Sequence, residues 1–110
     1  MRLRALSAFI CAMLAAATVF AAQPTTTIGD ISRGDYVVLT GDVVRFSDED
    51  EFVLRDDTGS VRVYIGYQNR MPVRPGQRVT VEGFVDFDLR IEVYAWTVTL
   101  EDGSVIELKR

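Results

Sequence analysis

The sequence predicts a small all-β domain in which five strands close into a barrel. Three observations carry this expectation. Short segments alternate apolar and polar residues, turn residues separate these segments, and a glycine lies inside two of the predicted strands, at Gly41 and Gly83. Alternation is typical of half-buried strands, and a glycine within a strand often marks a bend at a barrel corner. A two-sheet sandwich is the alternative, but it requires about seven strands, and five or six are found.

The first 21 residues have the composition of a secretory signal peptide. Arg2 and Arg4 precede an uncharged apolar run, Ala5–Phe20, and small residues follow it. The run is shorter than the roughly 20 residues that a membrane-spanning helix needs, so cleavage after Ala21 is preferred to an uncleaved anchor. The only cysteine, Cys11, lies inside the run and would be removed with it. We therefore expect a periplasmic protein with no transmembrane segment after processing.

Composition excludes several classes of site. The chain has no histidine, and without its signal peptide it would have no cysteine. Ser–His and Cys–His catalysis, thiolate metal sites and disulfides are therefore excluded. Loss of Arg2 and Arg4 would leave ten of the twelve basic residues against sixteen acidic ones, which lowers the net charge from −4 to −6. This charge repels phosphate backbones. The sequence predicts no catalytic residue, no metal site and no cofactor, and its charge argues against a nucleic-acid partner.

Residues 22–35 are predicted to form a flexible leader and a short turn. Gln23–Thr27 is rich in proline and threonine, as in a tether. A helical turn at Ile28–Ile31 would place its two isoleucines on the core. Arg33-Gly34-Asp35 is turn chemistry before a strand; its alternative reading as an adhesion motif lacks the confirming context that a short motif needs.

Residues 36–108 are predicted to form the barrel domain. The predicted strands are Tyr36–Phe46, the two arms of Phe52–Ile65, Arg78–Asp86 and Leu89–Val98, with a short terminal strand near Val105. Ser47–Glu51 is predicted to be a solvated loop because four of its five residues are acidic. The residues predicted to face inward are Val37, Leu39, Val43, Phe52, Leu54, Val61, Val63, Ile65, Val79, Val81, Val85, Ile91 and Val93.

The segment Phe52–Ile65 is the clearest strand–turn–strand unit. Its apolar residues alternate on both sides of Asp57-Thr58-Gly59, which is typical of a tight turn. The opposite face therefore carries Val53, Arg55, Arg62 and Tyr64.

Three motifs together resemble the bacterial OB-fold family, which includes the YgiW/YdeI-type periplasmic stress-tolerance proteins. The motifs are Val37-x-Leu39-x-Gly41-x-Val43, Phe52-Val53-Leu54-Arg55-Asp56-Asp57-Thr58-Gly59 and Pro75-Gly76-Gln77-Arg78-Val79-Thr80-Val81-Glu82-Gly83-Phe84-Val85-Asp86-x-Asp88. The resemblance covers roughly residues 28–98. It implies a five-stranded OB-fold Greek-key barrel and a non-enzymatic, ligand-binding protein connected with envelope or oxidative stress.

An OB barrel binds ligands on the outer face of its second and third strands, between the loops that join strands 1–2 and 4–5. The predicted ligand-binding residues are Val53, Arg55, Arg62, Tyr64, Asp86 and Asp88. An arginine beside an aromatic ring can hold a carboxylate or phosphate and stack on a ring or sugar. In the alternative interpretation the two arginines are ordinary surface charges paired across the sheet. Tyr94 and Trp96 add an outer aromatic stripe, unless the C-terminal hairpin covers it.

The predicted function is that of a periplasmic OB-fold protein, non-enzymatic and of the stress-tolerance type. Its partner would be a small molecule or an envelope glycan or peptide. A protein–protein adaptor of the envelope is one alternative. Single-stranded nucleic-acid binding is another, but the negative charge and the export signal oppose it. The sequence leaves the identity of the ligand and the oligomeric state open.

Overall fold

Five strands of the computed structural model close into a barrel, and a sixth extends the sheet. The structure describes residues 25–86 and 90–109. The predicted signal peptide and the predicted site residue Asp88 lie outside these residues. The elements are a 3₁₀ helix at Ile28–Asp30, β1 at Tyr36–Asp48, β2 at Glu51–Asp56, β3 at Gly59–Tyr64, β4 at Arg78–Val85, β5 at Glu92–Leu100 and β6 at Val105–Glu107.

Closure of the barrel depends on one long strand and one parallel contact. The strand order is β3-β2-β1-β4-β5-β6, and β3 also pairs with β5 in parallel, which joins the two ends of the sheet. β1 pairs with β4 over Tyr36–Asp42 and with β2 from Asp42 to Asp48. A long first strand that pairs at both ends therefore closes the sheet, and the predicted five-stranded barrel is confirmed.

A β-bulge interrupts β1 in its second half. Val43 lies opposite Leu54, but Arg45 lies opposite Val53, so that Val44 is the extra residue. A bulge transfers the residues after it to the other face of the sheet. Arg45 therefore faces outward, although plain alternation from the buried Val43 would place it inside.

Another register shift lies between β4 and β5. Glu82 pairs with Thr97 whereas Gly83 pairs with Ala95, which leaves Trp96 as the extra residue. A Cβ atom on Gly83 would lie 2.0 Å from the carbonyl oxygen of Tyr94. The predicted bend at this glycine is thus a place where two backbones approach more closely than a side chain allows.

The same holds for Gly41 on β1. Its Cβ would lie 2.4 Å from the carbonyl oxygen of Arg55 on β2. Both glycines lie close to a bulge, but neither is the bulged residue itself. The prediction that they mark irregular positions of the barrel is confirmed, and close backbone approach is the reason.

The core agrees with the predicted inward set except at one position. Ile91 is 40% exposed because β5 begins only at Glu92, so that Ile91 precedes the strand and its alternation. Ile28 also belongs to the core, as predicted for the helical turn. The core further contains Val73, Ala95 and Val98, which the predicted inward set did not include.

The predicted solvated loop Ser47–Glu51 is wrong at both ends. β1 continues to Asp48, and Glu51 is already the first residue of β2. The Glu51 side chain is only 9% exposed, and the Ser47 hydroxyl donates a hydrogen bond of 2.8 Å to its Oε1 atom. Only Glu49 and Asp50 remain as a turn.

The predicted helical turn at Ile28 is confirmed, and it closes one end of the barrel. Ile28 is buried, and its backbone N–H donates a 2.8 Å hydrogen bond to the Asp56 carboxylate. The same carboxylate accepts hydrogen bonds from the N–H groups of Thr58 and Gly59 in the β2–β3 turn. Burial raises the pKa of Asp56, but these hydrogen bonds outweigh it and hold the pKa below its usual value. The chain just before this turn is attached as well, because the Thr26 N–H donates to the carbonyl of Val38 on β1.

Candidate ligand-binding surface

The predicted binding face divides over three separate concavities. In the β2–β3 register Arg62 lies opposite Val53, and Arg55 lies opposite Ser60. The two arginines are therefore diagonal neighbours on the outer face and not direct partners across the hairpin. Arg62 and Val53 line one concavity, Arg55 lines a second and Tyr64 lines a third.

The concavity at Arg62 collects three guanidinium groups, from Arg45, Arg62 and Arg90, and is named here the arginine depression. It has a volume of about 420 Å³, and Val53 lies among its lining residues. Arg45 comes from β1 after the bulge, Arg62 from β3, and Arg90 from the connection before β5. Neither Arg45 nor Arg62 forms an ion pair with a carboxylate of the residues that the structure describes.

The position of Val53 differs from the prediction in exposure but not in face. It lies opposite Arg62 on the outer side, yet it is only 7% exposed. Long side chains on both sides cover it, since Arg45 is its partner on β1. Val53 therefore contributes an apolar floor to the arginine depression and not an exposed contact.

Arg55 has a different electrostatic environment. Its concavity of about 130 Å³ is lined by Asp42, Asp56, Asp57 and Arg78. Arg78 forms an ion pair with Asp42 at 3.3 Å. Three carboxylates thus offset two guanidinium groups, and this concavity has no excess positive charge for an anion.

Acidic side chains border the arginine depression on the β5 side. Glu92 pairs in register with Arg62. Burial raises the pKa of Glu92 to about 7, with further contributions from a hydrogen bond with Glu51 and from the negative charges of Glu51 and Asp86, while Arg90 acts in the opposite direction. The predicted site residue Asp86 thus belongs to an acidic group, and its N–H donates to the carbonyl of Glu92. Within residues 25–86 and 90–109, no three His, Cys, Asp or Glu side chains are grouped closely enough to hold a metal ion.

The predicted aromatic stripe on β5 is present and is wider than expected. Five rings from four strands form one chain of contacts, which we call the aromatic row. Its members in contact order are Tyr64, Tyr94, Phe84, Trp96 and Tyr36, with ring centroids 5.3, 5.3, 5.8 and 5.3 Å apart. Tyr64 belongs to this row and not to the arginine depression.

The C-terminal tail forms one rim of the aromatic row without covering it. The Leu108 N–H donates to the carbonyl of Trp96. The Asn69 side chain then holds the next residue in both directions, since it donates to the Lys109 carbonyl and accepts from the Lys109 N–H, each at 2.9 Å. The same amide donates to the carbonyl of Ile65. The tail is thereby fixed to the turn that follows β3.

Sequence reasoning missed Arg45 and Arg90 as site residues, for different reasons. Alternation from Val43 places Arg45 inside, and no local signal fixes the bulge to Val44. Arg90 was assigned to a strand that begins at Leu89, whereas it lies in the connection before β5. In the expected OB architecture this connection borders the binding face, so a later strand start would have drawn attention to Arg90.

The family model of the bacterial OB fold (BOF) proteins matches residues 13–99. The chain belongs to the bacterial OB-fold family. This confirms the resemblance drawn from the three sequence motifs. The family is of the OB-fold binding type. No curated protein matches the chain significantly.

Two solved structures show what this barrel is similar to. The hypothetical protein YgiW from E. coli shares 25% sequence identity with a TM-score of 0.61, over 71% of this chain and 90% of YgiW. The second OB-fold domain of replication protein A from Methanococcus maripaludis shares 21% identity with a TM-score of 0.62, over 74% of this chain and 98% of that domain. At this lower identity the second likeness shows the fold alone. Among the described residues, no helix has the length and apolarity needed to cross a bilayer.

Proposed function

We propose that the protein is an exported, non-enzymatic binding module of the stress-tolerance type. It binds an anionic small molecule or envelope component on the outer face of β2 and β3. The arginine depression is the binding site, with the guanidinium groups of Arg45, Arg62 and Arg90 as donors and Val53 as its apolar floor. Of the residues predicted from the sequence, Arg62 and Val53 belong to this site.

The observation that carries this proposal is the collection of three arginines on a protein of net negative charge. Like charges repel, so a cluster of guanidinium groups has an electrostatic cost that an anion relieves. Arginine is charged at every physiological pH, and its planar fork matches carboxylate and phosphate oxygens two at a time. Because the site lies on the barrel face that OB domains use for binding, fold and charge favour the same surface.

Export is supported by the composition of residues 1–21 and by membership of a family with YgiW-like structures. The absence of histidine argues against the common nucleophilic and general-base arrangements. A role in stress tolerance in the envelope follows from the family resemblance. These three points support the same proposal independently of the arginine depression.

Isothermal titration of the protein without residues 1–21 tests the proposed site. The probes are inorganic phosphate, a muramyl peptide with free carboxylates and the same peptide as its neutral amide. We expect the carboxylate form to bind and the amide to bind at least about tenfold more weakly, because a lost charge-assisted pair is worth roughly 1.5–3 kcal/mol. Binding of both forms with equal affinity would contradict the proposal.

Single substitutions locate the site. Arg62→Gln and Arg90→Gln should each weaken binding of the carboxylate form about tenfold. Arg74→Gln is the matched control, because Arg74 is exposed and lines none of the three concavities. Arg55→Gln should also have little effect, since the charges around Arg55 are already offset. Loss of binding in Arg55→Gln with none in Arg62→Gln would move the site to the other concavity.

A further inference from the structure

The aromatic row borders the third of the three concavities, which lies further along the outer face of β3 than the arginine depression, at Tyr64. Its volume is about 260 Å³, and four of the five rings line it: those of Tyr64, Phe84, Tyr94 and Trp96. Ala95 also lines it, next to the bulged Trp96. We call this concavity the aromatic pocket. It shares no lining residue with the arginine depression, so it offers a separate site.

The rings of the aromatic pocket are inclined to one another. Neighbouring planes meet at 52° for Tyr64 and Tyr94, 61° for Phe84 and Tyr94, and 44° for Phe84 and Trp96. A flat platform for a nucleobase presents parallel faces on which successive bases stack. Inclined rings around a small volume instead present several π faces to one compact group.

Carboxyl groups lie beside rings of the aromatic row, although none of them lines the pocket. On β4, Glu82 precedes Phe84 by two residues and therefore shares its face of the sheet; it accepts hydrogen bonds from the hydroxyls of Tyr36 and Thr97. Glu51 lies across from Tyr64 in the β2–β3 register. Glu92 precedes Tyr94 by two residues on β5, but Arg62 is its partner on β3, and its raised pKa reduces its negative charge.

One charged side chain lines the pocket itself. Lys109 lies at the rim, is exposed, and has its backbone fixed by Asn69. The ammonium of Lys109 therefore opposes the entry of a cation.

We propose that the aromatic pocket binds a compact organic cation, namely a methylated ammonium group such as that of choline. The negative faces of tyrosine, phenylalanine and tryptophan attract a cation at close range, and an alkylated ammonium loses little hydration when it enters an apolar pocket. The negative charge of Glu82, beside Phe84, adds long-range attraction. The site goes beyond the anion site proposed above, because it takes the opposite charge and uses other residues.

The charge of the ligand is tested with two molecules of one shape. Choline and 3,3-dimethyl-1-butanol have nearly the same volume, but only choline is charged. We expect isothermal titration to detect choline, with the neutral alcohol at least about tenfold weaker. Equal affinity would show that the pocket recognises shape alone and would overturn the proposal, as would no binding of either molecule.

Lys109→Gln provides a test that cannot fail through unfolding, because the side chain is exposed. Removal of the one ammonium at the rim should strengthen choline binding severalfold, whereas it would weaken binding of an anion. Weaker choline binding in this variant would contradict the proposal.

The rings are tested with Tyr94→Leu and Trp96→Leu, each of which should weaken choline binding about tenfold. Phe46→Leu is the matched control, because Phe46 is 46% exposed and lies away from the pocket. Unchanged binding in both ring variants, with their folding verified by circular dichroism, would overturn the assignment.

Discussion

Replacing Gly83 by alanine tests how closely β4 and β5 must approach beneath the aromatic row. The added Cβ would lie 2.0 Å from the carbonyl oxygen of Tyr94 and 2.9 Å from the Cα of Ala95. Ordinary contact begins near 3.4 Å, so the strands would have to separate locally by about 1.4 Å. No side-chain rotation can relieve this contact, because both neighbouring atoms belong to the backbone.

The expected cost follows from the hydrogen bonds that such a shift breaks. A separation of about 1.4 Å removes roughly two ladder bonds at about 1 kcal/mol each, and overpacking of a tight site costs a comparable 1–3 kcal/mol. We therefore expect Gly83→Ala to lower the free energy of unfolding by about 3–5 kcal/mol. Urea denaturation followed by Trp96 fluorescence measures this, and Trp96 itself reports any change at the bulge.

The control for Gly83→Ala is Gly76→Ala. Gly76 has no atom within 4 Å of its added Cβ, but its φ of +94° is in the left-handed region. The cost there is conformational alone, about 1–2 kcal/mol. If Gly83→Ala proved no more destabilising than Gly76→Ala, close approach of the two strands would not be the reason for glycine at this position.

Three further changes have outcomes that the hydrogen bonds and charges determine. Asp56→Asn should lower the free energy of unfolding by about 1–2 kcal/mol at pH 7. Because the pKa of Asp56 is lowered in the folded state, the stability advantage of the wild type should disappear as the pH falls below the usual value of 3.8. Denaturation at pH 7 and pH 3 measures this, with Asp57→Asn as the control. The pKa of Glu92 is raised from 4.5 to about 7, so the free energy of unfolding of the wild type should fall as the pH rises through this window. Glu92→Gln should remove that decrease. If the free energy of unfolding fell equally with pH in both proteins, Glu92 would not be the group responsible. Asn69→Ala should accelerate hydrogen exchange at the Lys109 amide, and unchanged exchange there would mean that the tail is held by other contacts.

The core could be predicted from the sequence because buried strand residues form a regular apolar–polar alternation. Phe52, Leu54, Val61 and Val63 alternate without interruption, and all four are buried. Even the short turn at Ile28 could be predicted, since an isoleucine among polar residues has few other roles. The limits of this reasoning are the places where alternation breaks.

Arg45 shows how such a break hides a site residue. Its outward direction depends on the bulge at Val44, which arises from the bend of β1 between two partners and has no signature of its own in the chain. Glu51 illustrates a second limit. An acidic run predicts a solvent-exposed loop. Glu51, the last residue of this run, is nevertheless buried, because it is the first residue of β2 and contacts Glu92.

The aromatic row could be predicted only in part. Tyr94 and Trp96 stand out on one strand, whereas Tyr36 and Phe84 lie far from them in sequence. They join the row because β4 lies between β1 and β5 in the sheet, whereas Tyr64 joins it through the β3–β5 pairing that closes the barrel. A single strand therefore reveals part of the surface, and the strand order is needed for the rest.

Chemical-shift mapping by NMR tests the binding site most directly. A ¹⁵N-labelled protein without residues 1–21 is titrated with the muramyl peptide in its carboxylate form. We expect the largest amide shifts to cluster around the arginine depression, at Arg45, Ser60–Arg62, Arg90 and Ile91. Shifts centred instead on Arg55 and Arg78, or none under conditions where titration detects binding, would contradict it.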